Sequence, residues 1–221
     1  MTGMGRQPGD DFVPAAPQLW TYDLLSFVLT RTRQWRPALL KQLAPSSGDV
    51  IADVGCGTGT QLRLVARACP SLALIGIDPD DTIRRRASAK LAGVRPPVEL
   101  LAGYARDTAD LLRGRGVTKV LSSLMFHQVP LEEKRAGLLA IHETLSSGGS
   151  LHVADYGLQR TPKMRKRFRM VQKGDGFDNT EPNARGILPD LMADVGFRAV
   201  EETHVFETLS GSISIYRAVR R

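Results

Sequence analysis

The chain has 221 residues, enough for one sizeable core, and its 42% hydrophobic and 24% charged content is ordinary for a globular domain. No apolar run approaches the roughly 20 residues that span a bilayer, the opening MTGMGRQPGDDFVPAAPQ lacks the apolar stretch of a signal peptide, and two cysteines, Cys56 and Cys69, are too few for a disulfide framework, so a reducing cytoplasm is expected. The net charge of +7 admits nucleic acid, an anionic membrane surface or an acidic small molecule as partner, besides a merely solvated basic surface.

Residues 1–18, rich in Gly, Pro and Asp, are expected to form a flexible arm, and 19–221 a single domain. Residues 19–45 read as a helical cover, with Leu24, Leu25, Val28 and Leu29 at three- and four-residue spacings. Pro37 is expected to open a second helical piece as its N1 residue, and Pro45-Ser-Ser-Gly48 ends it. From Asp49 strands alternate with helices. Strands are predicted over 50–54, 72–77, 98–101, 119–122 and 151–154, and helices over 61–68, 80–91 and 131–145. Such alternation argues for a parallel sheet covered on both faces. After Asp155 come a basic helix over 161–173, a polar loop over 174–183 and a helix over 188–195. Two strands, 199–208 and 212–219, are split by the turn signal Leu209-Ser-Gly211. The expected fold is α/β: a Rossmann-like, seven-stranded, mostly parallel sheet ending in an antiparallel hairpin. Residues 48–156 form its core, 157–190 a lid over an acceptor region, and 191–221 the final helix and hairpin.

The first strand of the core runs into Asp53-Val-Gly-Cys-Gly-Thr-Gly59. Glycines let a backbone turn sharply and approach a ligand, and the helix that follows offers free N–H groups to an anion. A dinucleotide loop reads G-x-G-x-x-G; here the glycines are Gly55, Gly57 and Gly59, and residue 60 is Thr. Asp53 would repel a pyrophosphate and attract the cationic end of an amino acid. Asp78, closing the second strand, is suited to a ribose diol in either class.

Taken together, Asp53 to Gly59, Gly76-Ile-Asp-Pro-Asp80, Ser122-Ser-Leu-Met-Phe-His-Gln128 and Leu145-Ser-Ser-Gly-Gly-Ser-Leu-His-Val-Ala-Asp155 resemble successive motifs of the class I S-adenosylmethionine-dependent methyltransferases. Within that class the layout is similar to the group of ubiquinone/menaquinone-type and small-molecule enzymes. The likeness spans about residues 20 to 156, with a family-like terminal hairpin after 199. It implies that Gly55, Cys56, Gly57 and Gly59 line the methionine part of the cofactor, with Asp53 beneath its ammonium. It implies Asp78 on the ribose hydroxyls, Pro79 against the adenine and Ser122 beside the sulfonium. Tyr104 and Ala105 occupy the place where the family usually has an Asp for the adenine, so contact there would come from ring packing or from the Ala105 backbone. Trp20 and Tyr22 are placed to cover the cofactor.

Methyl transfer from a sulfonium needs alignment of donor and acceptor above all, and a base only where the acceptor must lose a proton. His127, after the fourth strand, is the candidate catalytic base; a structural, hydrogen-bonded histidine is the competing reading. Asp155 and Tyr156, at the carboxyl end of the fifth strand, are candidates for the substrate site together with His127. His152 reads as structural, and His142 and His204 as bystanders. No metal is expected: Ser122-Ser123 stands where metal-dependent relatives carry an acid, and no His/Cys cluster supplies ligands.

In TPKMRKRFRMVQK, residues 161–173, Met164, Phe168 and Val171 share one helix face and basic residues occupy the rest. The helix reads either as a lid docked by that stripe or as an element lying on an anionic membrane. Nucleic acid is not expected: the Asn/Asp-Pro-Pro-aromatic signature and an appended RNA-binding module are both missing, and no cysteine lies where base C5-methylation needs one. The function expected is methyl transfer to a small molecule. The alternatives are a phospholipid or quinone-precursor methyltransferase at a membrane, an NAD(P)-dependent oxidoreductase, and a non-catalytic cofactor-binding protein.

Overall fold

A computed structural model describes residues 29–221. The arm over 1–18 and the covering residues Trp20, Tyr22, Leu24, Leu25 and Val28 lie outside the described residues. The described chain runs α1 (Thr32–Leu43), β1 (Val50–Val54), α2 (Thr60–Ala68), β2 (Ala73–Asp78), α3 (Asp81–Leu91), β3 (Val98–Ala102), α4 (Thr108–Leu111), β4 (Lys119–Ser123), α5 (Leu131–Thr144), β5 (Ser150–Tyr156), α6 (Pro162–Asp175), α7 (Phe177–Ala184), α8 (Leu188–Asp194), β6 (Arg198–Thr208) and β7 (Gly211–Val219). One seven-stranded sheet has the order β3-β2-β1-β4-β5-β7-β6. Strands β1 to β5 are parallel, and β7 runs antiparallel to both β5 and β6. The sheet and its terminal hairpin are those expected from the sequence.

Alternate side chains of each strand point to opposite faces. Ala52, Val54, Ile75, Ile77, Val120, Leu151 and Val153 therefore pack in one buried cluster, while Ile51, Leu74 and Leu121 pack in another. A third cluster joins Trp35 and Leu39 of α1 to Ala154 and Tyr156 of β5, Phe168 of α6 and Ile213 and Ile215 of β7. The strand order reverses between β1 and β4, and in open α/β sheets the crevice beyond such a reversal, at the carboxyl ends of the strands, receives ligands.

Three local expectations are corrected. Pro37 lies inside α1 rather than at its start. The helix tolerates the lost backbone bond because Trp35, Leu39 and Leu43 are buried and Trp35 Nε1 donates to the Thr30 carbonyl at 3.1 Å. Residues 174–183 are not a loop: α6 continues to Asp175 and α7 follows after Gly176. Packing overrides poor helix propensity there: Thr180 and Asn183 are buried, Thr180 Oγ1 donates to the Gly176 carbonyl at 2.6 Å, and Asn183 Nδ2 donates to the Tyr156 carbonyl at 3.0 Å. Finally, β5 extends through Asp155 and Tyr156, which makes both part of the sheet.

Candidate cofactor and acceptor site

Beyond β1 the backbone folds back on its neighbour strand. The N–H groups of Gly55 and Cys56 both donate to the Ile77 carbonyl, at 2.9 and 3.0 Å. Gly55 has φ +71, and a Cβ there would lie 2.5 Å from Met125 Cγ, so only glycine lets this loop pass the turn after β4. Gly57 has φ +54, and a Cβ there would meet nothing within 4 Å. Its open side faces free space at the head of α2. Lys90 of α3 fastens the loop from outside, donating to Thr58 Oγ1 at 2.5 Å and Thr60 Oγ1 at 3.0 Å.

Asp53 lies beneath this loop and is fully buried, and neither carboxylate oxygen has a hydrogen-bond partner among the described residues. Burial pushes its carboxyl up to about 8; Arg36 opposes the shift and Asp78 adds to it. Arg36 Nη1 donates to Gln61 Oε1 at 3.1 Å, while the Nε2 of buried Gln61 is itself unpartnered among the described residues. Buried polar atoms left this way are costly. Here they form a matched set: an acceptor pair wanting a cation, and an amide N–H beside a guanidinium, suited to a carboxylate. An α-amino acid moiety has both groups, so this donor set fits the methionine end of S-adenosylmethionine.

Asp78, at the end of β2, accepts from the Gly57 N–H at 2.9 Å and the Asp80 N–H at 3.0 Å. Burial is the main cause of the upward shift of its carboxyl. Pro79 follows, half-buried, and Arg84 Nη1 binds the carbonyls of Asp78 and Pro79, each at 2.8 Å. Tyr104 and Ala105 are half-buried. The Tyr104 ring lies 4.3 Å from the Arg106 guanidinium, and its backbone N–H bonds Asp107 Oδ2 at 2.9 Å. Two expected cofactor residues present no free polar atom to the crevice. Ser122 is buried and its hydroxyl donates to the Val54 carbonyl at 2.8 Å, tying β4 to β1. Cys56 is buried, with its thiol pushed up by burial and its Sγ directed to the Gly57 carbonyl at 3.7 Å.

The structure gathers His127, Asp155 and Tyr156, but around one another. Asp155 Oδ2 accepts from the N–H groups of Met125 and Phe126 at 3.1 and 2.7 Å. Its Oδ1 meets His127 Nδ1 and the Tyr156 N–H, both at 2.7 Å. Asp155 thus clamps the turn after β4. His127 Nε2 lies 3.2 Å from Asp175 Oδ2, at the end of α6. Burial alone would push the imidazole down, but Asp155 and Asp175 outweigh it and raise the group to about 9. With both nitrogens facing carboxylates, the ring offers no lone pair for an acceptor proton, and of the two readings of His127 this geometry matches the hydrogen-bonded one. Tyr156 packs edge-on to His127, with ring centroids 4.8 Å apart, and its hydroxyl pairs with Ser210 Oγ at 2.7 Å.

The sequence reading missed Arg36, Gln61, Lys134 and Asp175. Lys134 is fully buried in α5, and its ammonium binds the carbonyls of Phe126, Val129 (2.6 Å) and Asn179 (2.8 Å). Burial pulls it down to about 8. Asn179 Nδ2 returns a bond to the Gln128 carbonyl at 3.0 Å. The turn after β4 is therefore fastened to the α6–α7 cover by charged groups on both sides. Lys134 shares the helical phase of Leu138 and Ile141, a signal of burial in the sequence; Asp175 gave none. His152 is buried between Gln42 Nε2 (3.2 Å) and Ser150 Oγ (2.9 Å) and is pushed down to about 3 by burial, in line with a structural role.

The "Methyltransferase domain" family profile matches residues 51–149. The ubiquinone/menaquinone biosynthesis C-methyltransferase of Syntrophotalea carbinolica is 26% identical over 241 aligned residues, which cover 97% of this chain and 96% of that one. The trans-aconitate 2-methyltransferase of Afipia carboxidovorans is 40% identical over 129 residues, 58% of this chain and 46% of its own length. Among solved structures, the magnesium protoporphyrin IX methyltransferase of Synechocystis, determined with bound S-adenosylhomocysteine, superposes with a TM-score of 0.63 at 17% identity and covers 86% of this chain and 83% of that one. The glycine loop over an unpartnered buried carboxylate, the strand order and these likenesses converge on an S-adenosylmethionine-dependent methyltransferase, with the class I fold and a methyltransferase-domain match over residues 51–149.

Proposed function

We propose that this enzyme methylates a small-molecule acceptor held between the carboxyl ends of β4 and β5 and the α6–α7 cover. The observation that carries the placement of the cofactor is Asp53, buried beneath the glycine loop with both oxygens unpartnered among the described residues. S-adenosylmethionine, when bound, supplies a methyl group activated on a sulfonium. In this reading Asp53 holds its ammonium, and Arg36 with Gln61 its carboxylate. Gly57 gives the backbone close approach, and Asp78 exchanges its present bond to Gly57 for the ribose hydroxyls. Pro79, Tyr104 and Ala105 flank the adenine. Ser122 and Cys56 support the loop rather than contact the ligand through their polar atoms.

His127 and Asp155 act by holding the turn that forms one wall of the acceptor space, with Tyr156 beneath it. Catalysis then rests on alignment and exclusion of water more than on a protein base. A small acceptor is supported by the names of the two curated relatives, each of which specifies a small-molecule product line or substrate. Isothermal calorimetry tests the cofactor half: S-adenosylhomocysteine binds and NAD(P)H does not, and the reverse would refute the assignment. Transfer of tritiated methyl groups to fractionated cell extract tests the acceptor half. Label in a low-mass fraction, identified by mass spectrometry, is expected; label confined to protein or nucleic acid would overturn it.

A further inference from the structure

Residues 157–174 contain seven of the chain's 30 Lys and Arg residues and no Asp or Glu. The other 23 cations equal the chain's 23 carboxylates, so the whole excess charge of +7 is located on this one segment. Most of the segment is α6. Its inner face is docked: Phe168 is buried against Tyr156, ring centroids 4.9 Å apart, with Met164 and Val171 half-buried beside it. Four of the seven cations are held by carboxylates of neighbouring elements. Arg160 pairs with Glu202, Arg165 with Glu181 at 3.0 Å, and Lys163 and Arg167 with Glu207 at 3.2 and 2.6 Å.

Lys166, Arg169 and Lys173 are different. They are exposed, have no carboxylate partner among the described residues, and lie on the helix face opposite Phe168. Among them stands Met170, 48% exposed, and beyond the end of α6, past Gly176, the first residue of α7, Phe177, is 59% exposed, the highest value for a large apolar side chain among the described residues. We propose that this outer face of α6, with Phe177, docks on the anionic headgroups of a lipid bilayer. A polyanion such as nucleic acid would use the cations and leave Met170 and Phe177 in water. A bilayer surface takes both, because apolar side chains enter the boundary between headgroups and acyl chains while cations pair with anionic lipid. The docked inner face keeps α6 folded in its cover, so the contact needs no unpacking of the lid. No described helix is long and apolar enough to cross a membrane, so the contact is peripheral. This inference is independent of which acceptor the enzyme uses.

Vesicle co-sedimentation of the full chain tests it, with phosphatidylcholine vesicles against the same lipid containing roughly 30% phosphatidylglycerol, at about 0.1 M salt. The chain is expected to pellet with the anionic vesicles alone, less so as salt rises. Lys166→Glu/Arg169→Glu/Lys173→Glu should weaken partitioning by at least about 100-fold, about fivefold for each cation. Met170→Ser/Phe177→Ser, which leaves the charge intact, should weaken it by about tenfold; it supplies an independent arm should the charge-reversal variant fail to fold. S-adenosylhomocysteine affinity should be unchanged in both variants, which separates this test from that of the cofactor site. Equal binding to neutral and anionic vesicles, full binding by both variants, or tighter binding to a single-stranded oligonucleotide than to vesicles would overturn the proposal.

Discussion

Replacing Asp53 with Asn tests the cofactor site through a proton. In the ligand-free chain Asp53 is held at about 8 by burial. At pH 6.5 more than about 90% of the molecules therefore carry a proton there, by the Henderson relation for that shift. An ammonium placed against both unpartnered oxygens favours the carboxylate, so binding expels the proton. Calorimetric titration of S-adenosylhomocysteine at pH 6.5, in two buffers of different ionisation enthalpy, should report release of about one proton per ligand in the wild type. In Asp53→Asn it should report none, with affinity about 100- to 1000-fold weaker, the scale for losing one partner of a buried ion pair. The ligand-free state offers a second readout. A carboxyl whose folded pKa is raised keeps its proton longer folded than unfolded, so stability falls as pH rises from about 4 to about 8. At about 1.4 kcal/mol per unit the loss by pH 7 is on the order of 4 kcal/mol, and Asp53→Asn should flatten that slope. Equal proton release in both proteins, or unchanged affinity in the variant, would refute the placement of the ammonium at Asp53.

The contact between turn and cover makes a prediction of opposite sign. His127 is raised to about 9, so its stabilisation is complete below its ordinary value near 6.5 and is lost as pH climbs through about 9. Asp175→Asn should bring that loss to lower pH and speed hydrogen exchange across residues 161–184; an unchanged unfolding profile between pH 6 and 10 would remove Asp175 from the contact. Lys134→Met leaves the carbonyls of Phe126, Val129 and Asn179 short of a donor and should cost about 3 kcal/mol by denaturant unfolding; a change below about 0.5 kcal/mol would show that packing alone holds the turn. Asp78→Ala removes the acceptor for the Gly57 N–H and should weaken S-adenosylhomocysteine binding about 100-fold, measured by calorimetry, and full affinity would displace the ribose site from Asp78.

Much of this was legible from sequence because local rules suffice for it. Strand and helix periods, the glycine loop and the turn at Leu209-Ser-Gly211 set the alternating pattern and the closing hairpin, and Asp53 ahead of three glycines pointed away from a dinucleotide. Residues 174–183 were illegible for the opposite reason. Their Gly, Asn and Pro content argues for a loop, and only buried Thr180 and Asn183, held by groups distant in sequence, make α7 a helix. The same holds for Pro37, which packing around Trp35 keeps inside α1.

The site divides along the same line. Sequence by itself determined that an acid, a glycine turn and a second acid would gather at the ends of β1 and β2, since chain order and strand pairing place them there. Tertiary structure alone decided what their polar atoms meet. It left Asp53 without a partner among the described residues and used up Ser122 on Val54. It also set His127, whose place after the fourth strand admitted either a base or a hydrogen-bonded histidine, between Asp155 and Asp175, 28 and 48 residues away. A residue type states which bonds a side chain can make; only the packed chain fixes which of them remain for a ligand.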